Sequence, residues 1–494
     1  MKKVILTGAA LLASACLFAQ SNDSNIQQTG IRNDANVTQN GSANKSLVTQ
    51  NSNITALQLF RKNEATVNQD GEDNESDILQ NGNRHSSSVT QDGEDNSALV
   101  KIGQGGVNNS QNETDIDQDG EGNSATQLIE GNGSDENYLE ADQDGDDNTS
   151  LQQVVGNNSD DNTSYVEQDG DDNDATSTQE GDDNYSDITQ DGNNNVASAD
   201  QDGDDNDSDI DQDGNRNEAE VTQTGDNNDS DIDQDGNRNE AYVEQIGEDN
   251  DSDIEQSSHD NYSNVYQNGE NNDSEIIQDG LLGGKNKANV NQKGDDNESV
   301  INQYGNGLVG NGATVNQTGD DNFSDIGQLG PGNKATVDQT GDENYSQIDQ
   351  TGINHTADVD QTGDENHSEI DQTGLVGNNA DVDQIGDLNE SYITQSSSLL
   401  GNLAIVLQDG ISNISTIGQN GSANYANISQ TGLSNVSNVD QNGAGNIANV
   451  IQTGGMVHPY QEVALIPPGE KIRDKSNVSC IGRKTRYTMP CILC

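Results

Sequence analysis

The 494-residue chain carries a formal net charge of -68, with 28% hydrophobic and 3% aromatic residues. Averages of this kind belong to chains too polar to offset their ordering entropy, and so much negative charge disfavours nucleic acid as a partner. Averages ignore order along the chain, however, and internal repetition reverses what composition alone suggests.

The chain opens with Lys2 and Lys3, then the apolar run VILTGAALLASACLFA, too short to span a membrane, then polar sequence. This predicts a signal peptide over residues 1–19, cut after Ala19. Cys16 raises a lipoprotein alternative, against which Ala13 stands where a lipobox usually has Leu. No other stretch is apolar enough to cross a bilayer, so the mature chain is predicted to be exported without a membrane span. Cys480, Cys491 and Cys494 are confined to the last 15 residues, which leaves the long body without disulfides or thiol metal sites.

From Asn22 to about Gly454 one 11-residue phrase, Nx[AS]x[IV]xQxGxx, recurs about 38 times, degraded between roughly 96 and 183. Its glutamines fall at 190, 201, 212, 223, 234, 245, 256, 267 and 278. An 11-residue period also suits a right-handed coiled coil. Within the unit, though, the recurring residues occupy alternate positions, which places them on one face of a strand, and a Gly in every third helical turn would cost about 1 kcal/mol each time. Each unit is therefore predicted to be a strand of about five to seven residues, Asn to Gln, followed by a turn such as DGNR or TGDN.

A period of 22 is superimposed from Asn184 onward: Ser208 alternates with Ala219, Ser230 and Ala241, Ile accompanying Ser and Val accompanying Ala. Two non-equivalent strands thus make one rung. The predicted fold is all-β, a two-sided β-solenoid over residues 20–454 with cross-β spacing of ~4.8 Å per rung, so that about 19 rungs make a rod roughly 90 Å long. Its inward ladder comprises Asn206, Ser208, Ile210, Gln212 and Gly214, then Asn217, Ala219, Val221, Gln223 and Gly225. It continues through Asn228, Ser230, Ile232, Gln234 and Gly236 to Asn239, Ala241, Val243 and Gln245. Stacked side-chain amides, each bonding the one above and below, answer the entropy objection.

Extra residues interrupt the period at 280–285, 305–310, 374–377 and 396–401, each time after a Ser/Ile strand and before an Ala/Val strand. They are predicted to project from one edge, with Leu281, Leu282, Leu308, Val309, Leu375, Val376, Leu399 and Leu400 as apolar tips. Tolerated turn insertion, and a lateral contact between rods or with a partner, are both open readings.

The phrase QxGxxNxAxxxQ, as in Gln212, Gly214, Asn217, Ala219 and Gln223, resembles the curlin repeat, the strand-loop-strand unit of curli fibres. The resemblance implies a secreted, extracellular subunit that polymerises with itself into cell-surface amyloid fibres for adhesion and biofilm matrix. It implies two further partners, a nucleator subunit and an outer-membrane export channel.

Acidic residues on the outer face stack within the ~8 Å Debye length and are expected to restrain premature assembly. Asp209, Asp211, Asp213, Gly214 and Glu220 match a calcium-loop pattern, but the next copy has Tyr242 at the last ligand position. Weak calcium binding along outward Asp ladders is the better reading, and no cofactor is otherwise expected. The five histidines, at 85, 259, 355, 367 and 458, offer no metal spacing and no pairing of nucleophile with base, so no enzyme is expected. The tail, residues 455–494, holds four of the five prolines and the basic run GRKTR, and reads equally as a cap or as out-of-frame readthrough. The competing function is a monomeric acidic β-solenoid adhesin or divalent-cation-binding surface protein.

Overall fold

The computed structural model describes residues 21–52, 62–104, 109–280, 284–305, 309–454 and 460–462. The predicted signal peptide, Leu281, Leu282, Leu308, His458 and the cysteine-bearing tail lie outside them. The described residues form strands and no helix. They fall in two compact units, Met1–Val290 and Asn291–Cys494.

Within each unit successive strands alternate between two parallel sheets, and each strand pairs with the one two places along the chain. In the first unit Ser186, Ile188 and Gln190 lie on Ser208, Ile210 and Gln212, which lie on Ser230, Ile232 and Gln234. In the facing sheet Ala197 and Gln201 lie on Ala219 and Gln223, which lie on Ala241 and Gln245. The second unit repeats the scheme, Ser324 and Ile326 on Ser346 and Ile348 on Ser368 and Ile370, opposite Val337 on Val359 on Val382. Each unit is the two-sided β-solenoid that the periods of 11 and 22 predict.

The core is thin and made of small columns. Ile210 and Val221 are fully buried, as are Ile348 and Val359, and each such side chain contributes roughly 1.5–3 kcal/mol by leaving water. β-Branched residues suit the pleated surface on which they stack.

Many strands have the seven residues expected, such as Lys334–Thr340, and others run longer. Asp207–Asn215 has 9 residues and continues past the glycine, because the glycines themselves pair across rungs, Gly192 with Gly214 with Gly236. Gly214 has φ +125°, and a Cβ there would lie 1.9 Å from the Gly236 carbonyl oxygen. Only glycine allows both that dihedral and that approach. Two residues on, Arg216 takes the left-handed conformation at φ 60° and the chain reverses into the other sheet.

Between 96 and 183 the sequence phrase lapses but stacking continues. In one sheet Gln91, Gln118, Gln143 and Gln168 still line up. In the other, Gln127 and Gln152 occupy the column held by Val100, while Ile102, Ile129 and Val154 occupy the glutamine column. Amide and apolar side chains have exchanged columns together. Inside the exchanged stretch like still meets like, Gln127 Nε2 donating to Gln152 Oε1 at 2.8 Å, while at its borders Val100 meets Gln127 and Val154 meets Gln179. Extra turn residues lengthen the rungs here, which is why an 11-residue template loses the repeat.

Candidate self-assembly surface: amide ladders and acidic faces

The ladder residues are placed by the pleat. The inward side chains of Asp207–Asn215 and Glu218–Asp226 are buried, and the outward ones are exposed or half-buried. Asn206 precedes its strand yet is buried. Its Nδ2 donates to the Gly225 carbonyl at 2.7 Å, and its Oδ1 accepts the Asn228 backbone N–H at 3.0 Å. Asn217 does the same in the facing column, donating to Gly236 O at 3.2 Å and accepting from Asn239 N at 3.1 Å. Each Asn thus ties its own turn to the turn of the following rung.

Glutamine bridges the sheets as well as the rungs. Gln212 Nε2 donates to Gln234 Oε1 at 2.8 Å and to the Val196 carbonyl of the opposite sheet at 3.1 Å. Gln223 Nε2 bonds Gln245 Oε1 at 3.0 Å, Asp207 O at 2.7 Å and Asn228 O at 3.0 Å. These buried amides satisfy one another, which removes the desolvation cost that a single buried amide would carry. By contrast, the buried Ser208 and Ser230 hydroxyls have no hydrogen-bond partner.

Two histidines replace ladder asparagines. Both are buried, and burial holds both side chains below the ordinary histidine pKa, His85 at about 4. Neither His85 ring nitrogen makes a well-formed hydrogen bond.

Outward, the first unit carries an acidic array. Asp187, Asp209, Asp231 and Asp253 form one column, Asp207, Asp229 and Asp251 another, Asp211 and Asp233 a third. Loss of solvent, followed by repulsion from neighbouring acids, pushes Asp209, Asp229 and Asp253 up to about 6. The same two causes raise Asp211 and Asp233.

The calcium-loop pattern does not form a loop. Asp209, Asp211 and Asp213 lie along the outer face of one strand, and Glu220 belongs to the strand Glu218–Asp226 of the other sheet. Among the described residues no group of three or more His, Cys, Asp or Glu is arranged to hold a metal ion.

The ring ladders along the outer face were not anticipated from the sequence. Phe323 stacks on Tyr345 with centroids 5.0 Å apart and 12° between planes, and Tyr345 on His367 at 4.5 Å and 8°. Their spacing of 22 residues was the available signal.

Stacked, self-satisfied amide columns in parallel, in-register sheets make a surface whose natural complement is another rung. The model of the curlin associated repeat matches residues 61–93, 71–106, 181–214, 203–236, 225–257, 310–341, 341–374 and 401–432. This is a curlin-repeat protein. The curlin matches fall in both units. Within them, the Gln and Asn columns follow the curlin phrase, while the acidic array occupies positions that the phrase leaves open. No curated protein matches the chain.

Proposed function

We propose that the chain is a secreted structural subunit of curli-like extracellular amyloid fibres, serving adhesion and biofilm matrix, and that it grows by stacking rung on rung between copies. The observation that carries this reading is the first described strand of the first unit. Ile26 takes the inward position in the strand Asp23–Thr29, yet it is 44% exposed, whereas Val48, its partner in the following rung, is fully buried. A rung from another copy would cover Ile26 and extend the Gln28 to Gln50 amide bond, 2.8 Å long, by one more member. The curlin repeats support the same reading, and through the family so do a nucleator and an outer-membrane export channel as partners.

The acidic array restrains assembly in this proposal. Columns of Asp repel at rung spacing and are only partly screened at physiological salt, so extension is slow until charge is neutralised outside the cell. Purified chain should form unbranched fibres in micrographs, and sonicated fibres should abolish the lag of a fresh solution. Rods of fixed length that never seed would support the monomeric acidic adhesin instead.

A further inference from the structure

From residue 312 to 366 of the second unit the two long edges of the solenoid are chemically opposite. The turns that leave the Ala/Val strands there carry paired acids, Asp320 with Asp321, Asp342 with Glu343 and Asp364 with Glu365, whereas later turns on that edge expose Leu388, Ile411 and Leu433. The turns that leave the Ser/Ile strands from Phe323–Leu329 onward carry none, reading GPGN from Gly330, GINH from Gly352, GLVG from Gly374 and SSSLLG from Ser396. On this second edge Val309 is 59% exposed, Leu375 71%, Leu399 78% and Leu400 61%.

These side chains belong to consecutive rungs rather than to scattered loops. Val309 Cγ1 lies 3.5 Å from where a Cβ on Gly332 would stand. The Asn354 backbone N–H donates to the Pro331 carbonyl at 3.1 Å, Ser397 Oγ donates to the Val376 carbonyl at 2.6 Å, and the Ala423 N–H donates to the Leu400 carbonyl at 3.2 Å. From Val309 to Leu400, at steps of about one rung, the edge presents an apolar stripe. The turn at Ile353 contains no insertion and is still apolar and exposed at the position that Asn193, Asn215 and Asn237 fill in the first unit. Tolerated insertion therefore does not account for the stripe. Contiguous exposed apolar surface on a soluble protein marks a contact.

We propose that this stripe docks side by side on the same stripe of a second copy. A chain of net charge -68 repels itself wherever acidic faces approach within a Debye length. This edge is where two copies of the second unit can meet with no like-charge pair, whereas a cationic partner would be drawn to the acidic faces instead. A patch that meets its own copy is an isologous contact. One stripe is small, but stacking repeats it once per subunit, so weak contacts sum along a fibre. This lateral role rests on the fibre reading above, although the contact itself does not require elongation.

The test uses the full chain with Leu375→Asn, Leu399→Asn and Leu400→Asn combined, all in exposed turns. Wild-type fibres should lie in pairs or bundles, and the triple variant should give single fibres at an unchanged elongation rate. Equal bundling by both overturns the proposal. A photo-crosslinking amino acid in place of Ile353 should join copies efficiently, and one in place of Glu343 should not; equal yields also overturn it. Crosslinking through position 353 in a chain that never elongates would refute the fibre reading while leaving the stripe in place.

Discussion

His355 Nδ1 accepts the backbone N–H of Asn378 at 3.0 Å, while its Nε2 meets the Gly374 carbonyl at 3.2 Å. An asparagine in this column does the same work with Oδ1 and Nδ2, as Asn206 does toward Asn228 and Gly225. A backbone N–H can only donate, so His355 Nδ1 carries no proton and Nε2 donates to Gly374. The imidazole is an amide mimic only while it is neutral.

Protonating His355 would set two donors against each other, and His85 sits buried in an equivalent position. Both side chains have a folded pKa below the 6.5 of the free group. The unfolded chain then binds more protons below pH 6.5, so stability falls as pH drops from 6.5 toward the folded value, about 4 for His85. Over that window the His85 contribution is on the order of 3 kcal/mol. From pH 7 to pH 4.5 the denaturant midpoint of the wild type should fall relative to that of the double variant His85→Asn with His355→Asn. A wild-type midpoint that tracks the double variant's at both pH values would contradict this.

The acidic array acts with the opposite sign. Asp209, Asp229 and Asp253 stand at about 6, above the 3.8 of a free aspartate. The folded stack therefore binds more protons between pH 6 and 4, and the repulsion present above pH 6 is relieved as pH falls through that range. Fibre growth followed by thioflavin fluorescence should be several-fold faster at pH 5 than at pH 8. Asp209→Asn, Asp231→Asn and Asp253→Asn together should raise the rate at pH 8 and flatten the difference. With the histidines pulling the other way, stability should peak near pH 5, which a pH series of thermal unfolding would reveal.

Gly214→Ala should be severe for a residue in a turn. The new methyl would lie 1.9 Å from the Gly236 carbonyl at a φ of +125°, and strain of this kind costs more than about 2 kcal/mol. A denaturant midpoint within error of wild type would be incompatible with the stacked glycine column.

Ser208 and Gln212 share a strand and are both fully buried but should respond differently to truncation. Ser208 Oγ has no partner, so Ser208→Ala should be neutral or slightly stabilising. Gln212→Ala would strand the amide of Gln190, which donates to Gln212 Oε1 at 2.9 Å, and leave a cavity beside Gln234. It should cost about 2–4 kcal/mol. Equal effects in chemical denaturation would remove the distinction between the two columns.

The sequence makes plain what depends on period. Alternation of two residues gave the strand, 11 gave the repeat and 22 gave the two faces, and Ile210 and Val221 stand in the core columns assigned to them. What stayed hidden depends on neighbours 22 or more residues away. The exchange of Gln127 with Ile129 reads as decay along the chain and becomes order only when the rung above is in place. The left-handed residue at Arg216 follows no residue preference strong enough to see, since Arg, Asp, Asn and Glu all take that place when the turn demands it. At His355 the residue name changes while the hydrogen-bond roles of the asparagine column are kept.

The glutamine column has a direction as well as a spacing. Gln190 donates to Gln212, Gln212 to Gln234, Gln234 to Gln256 and Gln256 to Gln278. In the second unit Gln328 donates to Gln350, Gln350 to Gln372 and Gln372 to Gln395. Side-chain amides aligned in this way add their dipoles as peptide units do along a helix. Each stack is therefore an electrically polar object, with bare carbonyl oxygens facing out where it begins and N–H groups facing out where it ends. Two beginnings would repel one another and a beginning attracts an end, so the amide column acts as a one-way valve for whatever is added to it.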